Sequence, residues 1–524
     1  MSRRSPLFSI VTPVYDPPLD VLQDMIDSVR AQSCLDWELI LVDDVSPNAR
    51  VRATLRAAAA EDHRIVVVER TSNGGIVAAS NDGVDRASGR FVVLVDHDDL
   101  LRLDALQVMA EAIADHPSVD YLYSNEDKID AEGRHYDTFR KPEWSPERLR
   151  GQMYTGHLSV MRSELVRQVG GFRSGFDGSQ DHDLALRVTE QSRLIVHVPQ
   201  VLYHWRVVPG SAAGDPNAKP YAWVAGRKAV SEHLERAGID GTAEYGPHPG
   251  YYRVHRRLPA ETLVSVIIPT RGSAGLVWGQ RRCFVVEAVR SALARTDHEN
   301  VEIVVVYDLP TPPEVLAELR DIAGDKLVLV PFAEPFNFSA KCNVGFLAAR
   351  GQVVVLLNDD MEVVSDGWLE QLVAPLAEPD VGMTGAHLLY SDGTMQHAGL
   401  VFRSNHYGHA FLGALEGDSA EFGAMLVNRE ASGLTAACVA LRRSVYEDVG
   451  GLCEELPGSF NDVDLSFKVG NAGYRLLWLV DVKLYHFESR TRDKTVRDWE
   501  HHLVMERWTT PDRDPYLPTL AAPH

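Results

Sequence analysis

The sequence predicts an α/β protein built from two tandem domains, each with a mainly parallel β-sheet flanked by helices. Three observations lead to this prediction: a length of 524 residues, short apolar runs that alternate with helical patterns, and five motifs that occur twice in the same order. At roughly 150 residues per domain, a chain with 45% hydrophobic residues has room for more than one core. Alternating strands and helices predict parallel sheets that are covered on both faces.

The five repeated motifs are strand-like runs with polar ends, acidic clusters, and a histidine beside aromatic residues. The pairs are SIVTPVYD (9–16) with SVIIPTRG (265–272), WELILVDDVS (37–46) with VEIVVVYDLP (301–310), ASGRFVVLVDHDD (87–99) with AARGQVVVLLNDD (348–360), GSQDHDLALRV (178–188) with SFNDVDLSFKV (459–469), and VLYHWR (201–206) with KLYHFES (483–489). Five ordered matches indicate an internal duplication. We therefore expect domains over residues 1–255 and 256–495, followed by a tail over 496–524 without a counterpart in the first copy.

Local patterns justify the elements in each copy. The β-branched run that ends at Pro13 predicts a buried strand followed by a turn. The segments 19–32 and 104–116 carry apolar residues at helical spacing and predict helices between the strands. Ligands of such sheets bind beyond the carboxyl ends of the strands, so the polar residues at the strand ends are functional candidates.

Composition and motifs exclude several classes of protein. A net charge of −22, from 52 Lys+Arg and 74 Asp+Glu, argues against a nucleic-acid partner, because phosphate contacts need a basic surface. The first strand is not followed by the G-x-G-x-x-G of a dinucleotide-binding dehydrogenase, and no P-loop occurs.

Cysteine usage and hydropathy point to the cytoplasm. Five scattered cysteines without a CxxC pair indicate reduced thiols. Pro13 interrupts the first apolar run, so no signal peptide is expected. No stretch approaches the roughly 18 apolar residues that span a membrane.

The third motif crowds carboxylates at a strand end. Asp96, Asp98 and Asp99 follow an apolar run, and their mutual repulsion is costly unless a cation neutralises it. A solvated turn with capping aspartates is the alternative. His204 and His486 recur at nearly the same spacing from an acidic cluster, and imidazole with carboxylate is a reasonable ligand set for Mn²⁺.

Asp181 and Asp462 each open a helical pattern in the fourth motif. An aspartate at a helix start is normally a cap. The functional alternative is a general base that faces the cation site.

The order of these motifs resembles family 2 glycosyltransferases with the GT-A (Rossmann-like) fold, in tandem. The resemblance covers about residues 6–210 and 262–493. It is carried by TPVYD, DDVS, DHDD, GSQDHDL and YHWR in the first half, and by FNFSAKCN, LNDDMEV, FNDVDL, AGYR and LYHFESRTR in the second. The second half looks most like bacterial enzymes that build surface polysaccharides, including rhamnosyltransferase-like members.

The resemblance implies a role for each matching residue. Asp181 and Asp462 would be the catalytic bases. The metal, Mn²⁺ or Mg²⁺, would be held by Asp98 and His204 in the first copy and by Asp360 and His486 in the second. The nucleotide-sugar would contact Thr12, Asp43, Asp44, Asn81 and Asp96 in the first copy, and Thr270, Asp308, Asn343 and Asn358 in the second.

This sequence departs from the family pattern at three places. Tyr307 stands where Asp43 stands in the first copy, and Asn358 replaces the first aspartate of the acid motif. Many relatives carry an arginine just before the asparagine of the motif, where this chain has Ser80 and Cys342. Neutralisation of a diphosphate is therefore expected to rest more on the metal.

Two segments are candidates for acceptor contacts. The second copy carries an insertion with His397, His406 and His409, whose spacing does not suit a metal site. We expect an acceptor-side loop there, with a purely structural loop as the alternative. SNEDKID (124–130) and Trp144 have a comparable position in the first copy.

Together these features predict a metal-dependent inverting glycosyltransferase with two active sites. Its donor would be a UDP-, dTDP- or GDP-sugar, and its acceptor a glycan or lipid-linked glycan, with possible peripheral association at the inner membrane face. The alternative is one catalytic domain beside a scaffold or a binding module.

Overall fold

The computed structural model describes residues 5–207, 220–487 and 497–520. These residues fall into two compact units. Unit 1 extends up to residue 238 and includes 242–254, and unit 2 begins at 255 and includes 239–241.

Unit 1 follows the predicted alternation of strands and helices. Its strands are β1 (Phe8–Val14), β2 (Trp37–Asp43), β3 (Ile65–Glu69), β4 (Phe91–Leu94), β5 (Leu100–Leu101), β6 (Tyr121–Ile129), β7 (His135–Phe139), β8 (Ser159–Arg162) and β9 (Ile195–Arg206), with β10 (Gly241–Tyr245) and β11 (Tyr252–Arg256) at its end. Its helices are α1 (Leu19–Arg30), α2 (Ala49–Glu61), α3 (Gly75–Arg86), α4 (Ala105–Asp115), α5 (Pro146–Gly151), α6 (Ser163–Gln168), α7 (Gln180–Thr189) and α8 (Pro220–Ala237).

Unit 2 repeats this order with additional short strands. Its strands are β12 (Val264–Thr270), β13 (Ala274–Val277), β14 (Gln280–Cys283), β15 (Val301–Asp308), β16 (Leu327–Phe332), β17 (Val353–Leu357), β18 (Met361–Val363), β19 (Val381–Leu389), β20 (Met395–His397), β21 (Leu400–Arg403), β22 (His406–His409), β23 (Arg429–Glu430), β24 (Cys438–Arg442) and β25 (Arg475–His486). Its helices are α9 (Phe284–Ala294), α10 (Pro313–Ala323), α11 (Phe338–Ala348), α12 (Trp368–Val373), α13 (Arg443–Asp448), α14 (Asn461–Asn471) and α15 (Asp498–Arg507), with 3₁₀ turns at Gly324–Lys326, Ala374–Ala377 and Glu421–Gly423.

The two sheets have the same topology. Unit 1 has the strand order β3-β2-β1-β4-β8-β6-β9-β5, and unit 2 has β16-β15-β12-β17-β24-β19-β25-β18. The first four strands of each order pair in parallel, and the next strand pairs antiparallel with both of its neighbours. The predicted fold class is confirmed, and so is the internal duplication.

Helices cover both faces of each sheet, because side chains of a strand alternate between faces. In unit 1, Ile10 and Leu39 pack with helices α1, α2 and α4, while α3 lies against the other face of β1 and β2. In unit 2, α9, α10 and α12 share one core with β12 and β15, and α11 lies on the other face. This layering leaves the carboxyl ends of the central strands for polar residues.

A helix follows the last long strand in both units. Helix α8 follows β9 and packs on α7, where the Ser179 hydroxyl donates to the Ala222 carbonyl. Helix α15 follows β25, and Glu500 accepts the amides of Gly458 and Ser459 just before α14.

No helix in the described parts of the chain is long and apolar enough to cross a bilayer. The last residues of the LYHFESRTR motif, 488–492, lie outside the described residues.

A glycine of the third motif makes the same close contact in both units. The amide of Gly89 donates to Ser9 Oγ at 2.7 Å, and Gly351 donates to Ser265 Oγ at 2.8 Å. A Cβ atom on Gly89 would lie 2.7 Å from the Ser9 backbone nitrogen, and one on Gly351 would lie 2.7 Å from that of Ser265. The backbone of Ser9 or Ser265 could not move away from such a Cβ atom as a flexible side chain could.

We therefore expect Gly89→Ala and Gly351→Ala each to reduce the free energy of unfolding of its unit by about 1–3 kcal/mol. Denaturant unfolding, followed by a probe in each unit, measures the effect. Gly470→Ala is the matched control: it lies on an exposed helix position with ordinary contact distances, and a gain of about 0.5–1 kcal/mol is expected. Equal effects at all three positions would contradict the prediction.

Candidate active site

Each unit has a cavity at the carboxyl ends of its central parallel strands. The unit 1 cavity has a volume of about 920 Å³, and Asp44, Asp96, Asp98 and Asp181 line it. The unit 2 cavity has about 390 Å³. Its lining includes these predicted site residues: Thr270, Asp308, Asn358, Asp360, Asp462 and His486. Residues far apart in sequence thus meet at the sheet edge where ligands of such folds bind.

The acid motif of unit 1 follows β4. Asp99 is fully buried and accepts hydrogen bonds from the Tyr203 hydroxyl at 2.5 Å and the Arg206 amide at 2.7 Å. Burial, together with the charges of Asp96 and Asp98, raises the pKa of Asp99 well above its ordinary value. Burial also raises the pKa of Asp98. Carboxylates in this state favour a proton or a cation beside them.

The matching motif of unit 2 is Asn358-Asp359-Asp360. Asp359 lines the cavity and accepts a hydrogen bond from Thr270 Oγ1 at 2.6 Å. Burial and the neighbouring Asp360 raise the pKa of Asp359 to about 7. Asn358 Oδ1 is buried and accepts no hydrogen bond among the residues described.

The two predicted metal histidines have different surroundings. In unit 2, His486 Nε2 lies 3.2 Å from Asp360 Oδ1, and its Nδ1 lies 2.7 Å from Gln396 Oε1. In unit 1, His204 Nδ1 lies 2.6 Å from Asp127 Oδ1, and the other oxygen of Asp127 lies 3.1 Å from His135. The structure therefore brings Asp360 and His486 together, whereas it groups His204 with Asp127 and His135 and not with Asp98.

The acidic residues at the carboxyl ends of β2 and β15 have ion-pair or hydrogen-bond partners within the chain. Asp44 accepts from Arg70 at 2.5 Å and from the amides of Gly74 and Gly75 at the start of α3. Asp43 is buried and accepts the Ser46 amide. In unit 2, Lys341 Nζ lies 2.8 Å from Asp308 Oδ1 and donates to the Thr270 carbonyl.

Three predicted donor-binding residues make internal contacts away from the cavities. Thr12 lies within β1 and is fully buried, and its strand register matches Ile268, so it is not the equivalent of Thr270. Asn81 holds the Phe172 backbone through both atoms of its amide. Asn343 does the same for Leu452, and its Oδ1 also accepts the Tyr446 hydroxyl.

Asp181 and Asp462 lie in the first turns of α7 and α14 but are not the capping residues. Each carboxylate accepts only the amide of the next residue in the described contacts, at 2.8 and 2.9 Å. The N-cap positions belong to Ser179 and Phe460.

The aspartates two residues further along these helices are structural. Asp183 is fully buried between Arg173 and Arg187. Asp464 is buried beside Lys468 and accepts a hydrogen bond from Trp508 Nε1 at 2.9 Å. Each helix thus directs one aspartate to the cavity and anchors itself with the next.

The insertion of unit 2 forms β20, β21 and β22 and lines the cavity with Gln396, Tyr407 and His409. His397 Nδ1 lies 2.8 Å from His409 Nδ1. Burial, with the nearby His409, lowers the pKa of His397 well below its ordinary value. His406 is exposed and bonds the Ser404 carbonyl.

Of the acceptor candidates in unit 1, only part reaches the cavity. Glu126 of SNEDKID lines the cavity and pairs with the buried Lys141 at 2.9 Å, whereas Trp144 is not among the lining residues.

Sequence reasoning missed several residues that the fold brings to the cavities. They are His157 in unit 1, and Lys341, Asp359 and Gln396 in unit 2. Arg70, which pairs with the cavity-lining Asp44, was missed as well. Lys341 lies two residues before Asn343, so attention to the residue immediately before the asparagine overlooked it. His157 stacks on Tyr203 with ring centroids 4.5 Å apart, and no local motif marks it.

Each unit has a group of residues that could hold a divalent cation. In unit 2, Asn358, Asp360 and His486 line the same cavity. His486 Nε2 lies 3.2 Å from Asp360 Oδ1 and 3.5 Å from Asn358 Nδ2, while Asn358 Oδ1 is without a hydrogen-bond partner among the described residues. In unit 1, Asp96, Asp99 and His157 have ligand atoms within 4.8 Å of one another, beside Asp98. Donor sets of this kind suit Mn²⁺ or Mg²⁺.

Comparison with known proteins gives consistent matches over both units. The family model described as glycosyl transferase family 2 matches residues 9–170 and 265–450. The protein y4gI of Sinorhizobium fredii is 41% identical over 99% of this chain and 58% of its own length. The O-antigen biosynthesis protein RfbC of Myxococcus xanthus is 36% identical over 98% of this chain and 40% of its own length. The chain thus spans only about half the length of these two relatives.

Among solved structures, S. aureus TarS 1–349 in complex with UDP matches at 19% identity and a TM-score of 0.32, over 44% of this chain and 71% of that chain.

The raised pKa of Asp359 predicts a pH dependence of stability in unit 2. Its folded-state pKa of about 7 lies above the ordinary aspartate value of 3.8, so the folded state binds the proton more tightly than the unfolded state. This contribution is complete below pH about 4 and is lost as the pH rises through about 7. With a chelator present, we expect the melting temperature of unit 2 to fall over this range.

Asp359→Asn should flatten that part of the curve, and scanning calorimetry at several pH values checks it. Asp325→Asn, an exposed position in the same unit, is the control and should leave the curve unchanged. If Asp359→Asn and the parent have parallel curves, the carboxyl of Asp359 does not titrate in this range.

Proposed function

The chain belongs to glycosyl transferase family 2, and from this premise we propose that each unit transfers a sugar from a nucleotide-sugar donor to an acceptor hydroxyl, with inversion at the anomeric carbon. One arrangement, present in both units, carries the proposal. An aspartate in the first turn of a helix and the acid motif at the end of a central strand line the same cavity. A single displacement needs such a pair of groups, one to take a proton and one to stabilise the leaving diphosphate.

Asp181 and Asp462 act as the general bases in this proposal. The carboxylate accepts the proton of the acceptor hydroxyl. The acceptor oxygen then bonds to the anomeric carbon while the bond from that carbon to the diphosphate oxygen breaks. The few contacts of these carboxylates within the chain leave them able to take up that proton.

The donor is held by the residues at the strand ends. We assign the base and ribose of the nucleotide to Asp43 and Asp44 in unit 1 and to Asp308 in unit 2, with Asp96, Thr270 and Asn358 completing the two donor sites. The positively charged side chain of Lys341 lines the unit 2 cavity, where it can offset part of the negative charge of a diphosphate. Asn81 and Asn343 act indirectly, by holding the loops that shape the site, and Thr12 is a buried residue of β1 without a direct contact to the donor.

A divalent cation, Mn²⁺ or Mg²⁺, fits this chemistry in both units. Asp360 and His486, with Asn358, would hold it in unit 2, and Asp98 with Asp96, Asp99 and His157 would hold it in unit 1. When bound, it would stabilise the negative charge that develops on the departing nucleoside diphosphate. The buried, unpartnered Asn358 oxygen supports the unit 2 assignment, because such an atom is costly without a partner.

The acceptor is a growing bacterial surface glycan in this proposal. The name of the M. xanthus relative, an O-antigen biosynthesis protein, supports that class. A lipid-linked acceptor would bring the reaction to the inner face of the cytoplasmic membrane.

The second candidate is a protein with one catalytic unit and one scaffold or binding unit. Tyr307 and Asn358 favour it, since they replace acidic residues of the first copy. Single-unit variants distinguish the two candidates.

We expect Asp181→Asn to abolish one transfer and Asp462→Asn the other, with a rate loss of about 10²–10⁴-fold and an unchanged melting temperature. Product analysis with a panel of UDP-, dTDP- and GDP-sugars measures this. If one of the two variants leaves every product unchanged, that unit is not catalytic.

Asp183→Asn is the matched control, two residues along the same helix. It removes the charge of the buried carboxylate that pairs with the half-buried Arg173 and the buried Arg187, so we expect a loss of about 3–5 kcal/mol of stability. The contrast separates a catalytic aspartate from a structural one.

Removal of divalent ions should abolish turnover in both units. We expect exhaustive chelation to lower nucleotide release by about 10²-fold or more, and Mn²⁺ or Mg²⁺ to restore it. Full transfer activity after chelation would exclude a metal requirement.

A further inference from the structure

A residue of the unit 2 insertion forms a hydrogen bond with Nδ1 of the His486 imidazole. Gln396 lies on β20 and is buried, and its Oε1 lies 2.7 Å from His486 Nδ1. An amide oxygen can only accept a hydrogen bond, so the proton of this contact lies on Nδ1. The tautomer that this contact favours has its lone pair on Nε2, which faces Asp360 and the amide nitrogen of Asn358.

In unit 1, the equivalent histidine has a carboxylate, and not an amide, as the partner of its Nδ1. His204 Nδ1 lies 2.6 Å from Asp127 Oδ1, and Asp127 lies on β6 directly opposite His204. In unit 2, the pairing of β19 with β25 ends at Leu389 and Tyr485, and β19 contains no acidic residue. The acceptor for His486 Nδ1 comes from the insertion instead.

We propose that Gln396 is a positioning residue, which fixes the tautomer and ring orientation of His486 so that Nε2 can bind the cation of unit 2. The proposal rests on the proposed function, because it takes His486 as a cation ligand. It assigns a task to the insertion: β20 pairs with β19 and thereby carries an acceptor to the back of the histidine. A hydrogen-bonded partner behind a ligating histidine typically changes metal affinity by about 10–100-fold.

Mn²⁺ titration of the full chain, followed by the electron paramagnetic resonance signal of free Mn²⁺, tests the proposal. The unit 1 site is first disabled by Asp96→Asn and Asp98→Asn, so that the titration reports unit 2. In this background we expect Gln396→Ala to weaken Mn²⁺ binding about 10–100-fold. Gln396→Met, which keeps the volume but offers only a weak thioether acceptor, should do the same. Gln396→Glu restores an acceptor and should bind at least as tightly as the parent.

A double-mutant cycle separates positioning from a purely structural role. Because Gln396 acts through His486, Gln396→Ala combined with His486→Ala should bind Mn²⁺ no more weakly than His486→Ala alone. Gln371→Ala is the matched control, since its amide makes one exposed hydrogen bond to the Asp366 carbonyl, and no change is expected.

Three results would overturn the proposal. Additive losses in the cycle would show that Gln396 does not act through His486. Affinities of Gln396→Ala and Gln396→Met within twofold of the parent, with His486→Ala weakened, would reject the inference alone. An unchanged affinity in His486→Ala would reject both the inference and the cation site of the proposed function. No sugar transfer is measured, so a chain without transferase activity would still give a clear answer.

Discussion

The crowding of carboxylates at the carboxyl ends of the central strands is the constraint on which both sites depend. Each buried carboxylate needs a proton, a cation or several donors, and the chain supplies a different partner to each. Arg70 neutralises Asp44, Lys341 neutralises Asp308, and the Tyr203 hydroxyl and Arg206 amide hold Asp99. The acid motifs add further negative charge beside the cavity histidines. The cation in the proposed function would offset that charge.

The two units keep the fold while changing these partners. The Gly–Ser contact and the amide clamp of the motif asparagine are the same in both copies, because they join strands and loops that the fold requires. The charged residues at the cavity differ. Lys341 has no basic equivalent at the matching helix position of unit 1, Ala79. Such differences are expected if the fold is constrained by packing and each site is adjusted to its own donor and acceptor.

Sequence alone predicted the fold class, the duplication and the strand-end location of the sites, because period and motif order are local signals. It could not assign side-chain direction at a turn. Thr12 and Thr270 both adjoin a proline, yet they lie on opposite sides of it, and only the strand register separates them. Asn81 and Asn343 carry polar amides in a motif, but the loops that they clamp lie far along the chain. Gln396 is invisible for the same reason, since its partner is 90 residues away.

The second aspartate of each helix that carries a proposed base, α7 and α14, explains why the C-terminal segment belongs to unit 2. Asp183 is neutralised by Arg173 and Arg187, both near in sequence. Asp464 has Lys468 on its own helix, but its other partners, Trp508 and Arg507, come from the end of α15 and the residue after it. Glu500 of that helix also holds the turn before Asp462. The orientation of the proposed base in unit 2 therefore depends on residues after β25, a segment that resemblance to motifs alone would place outside the catalytic unit.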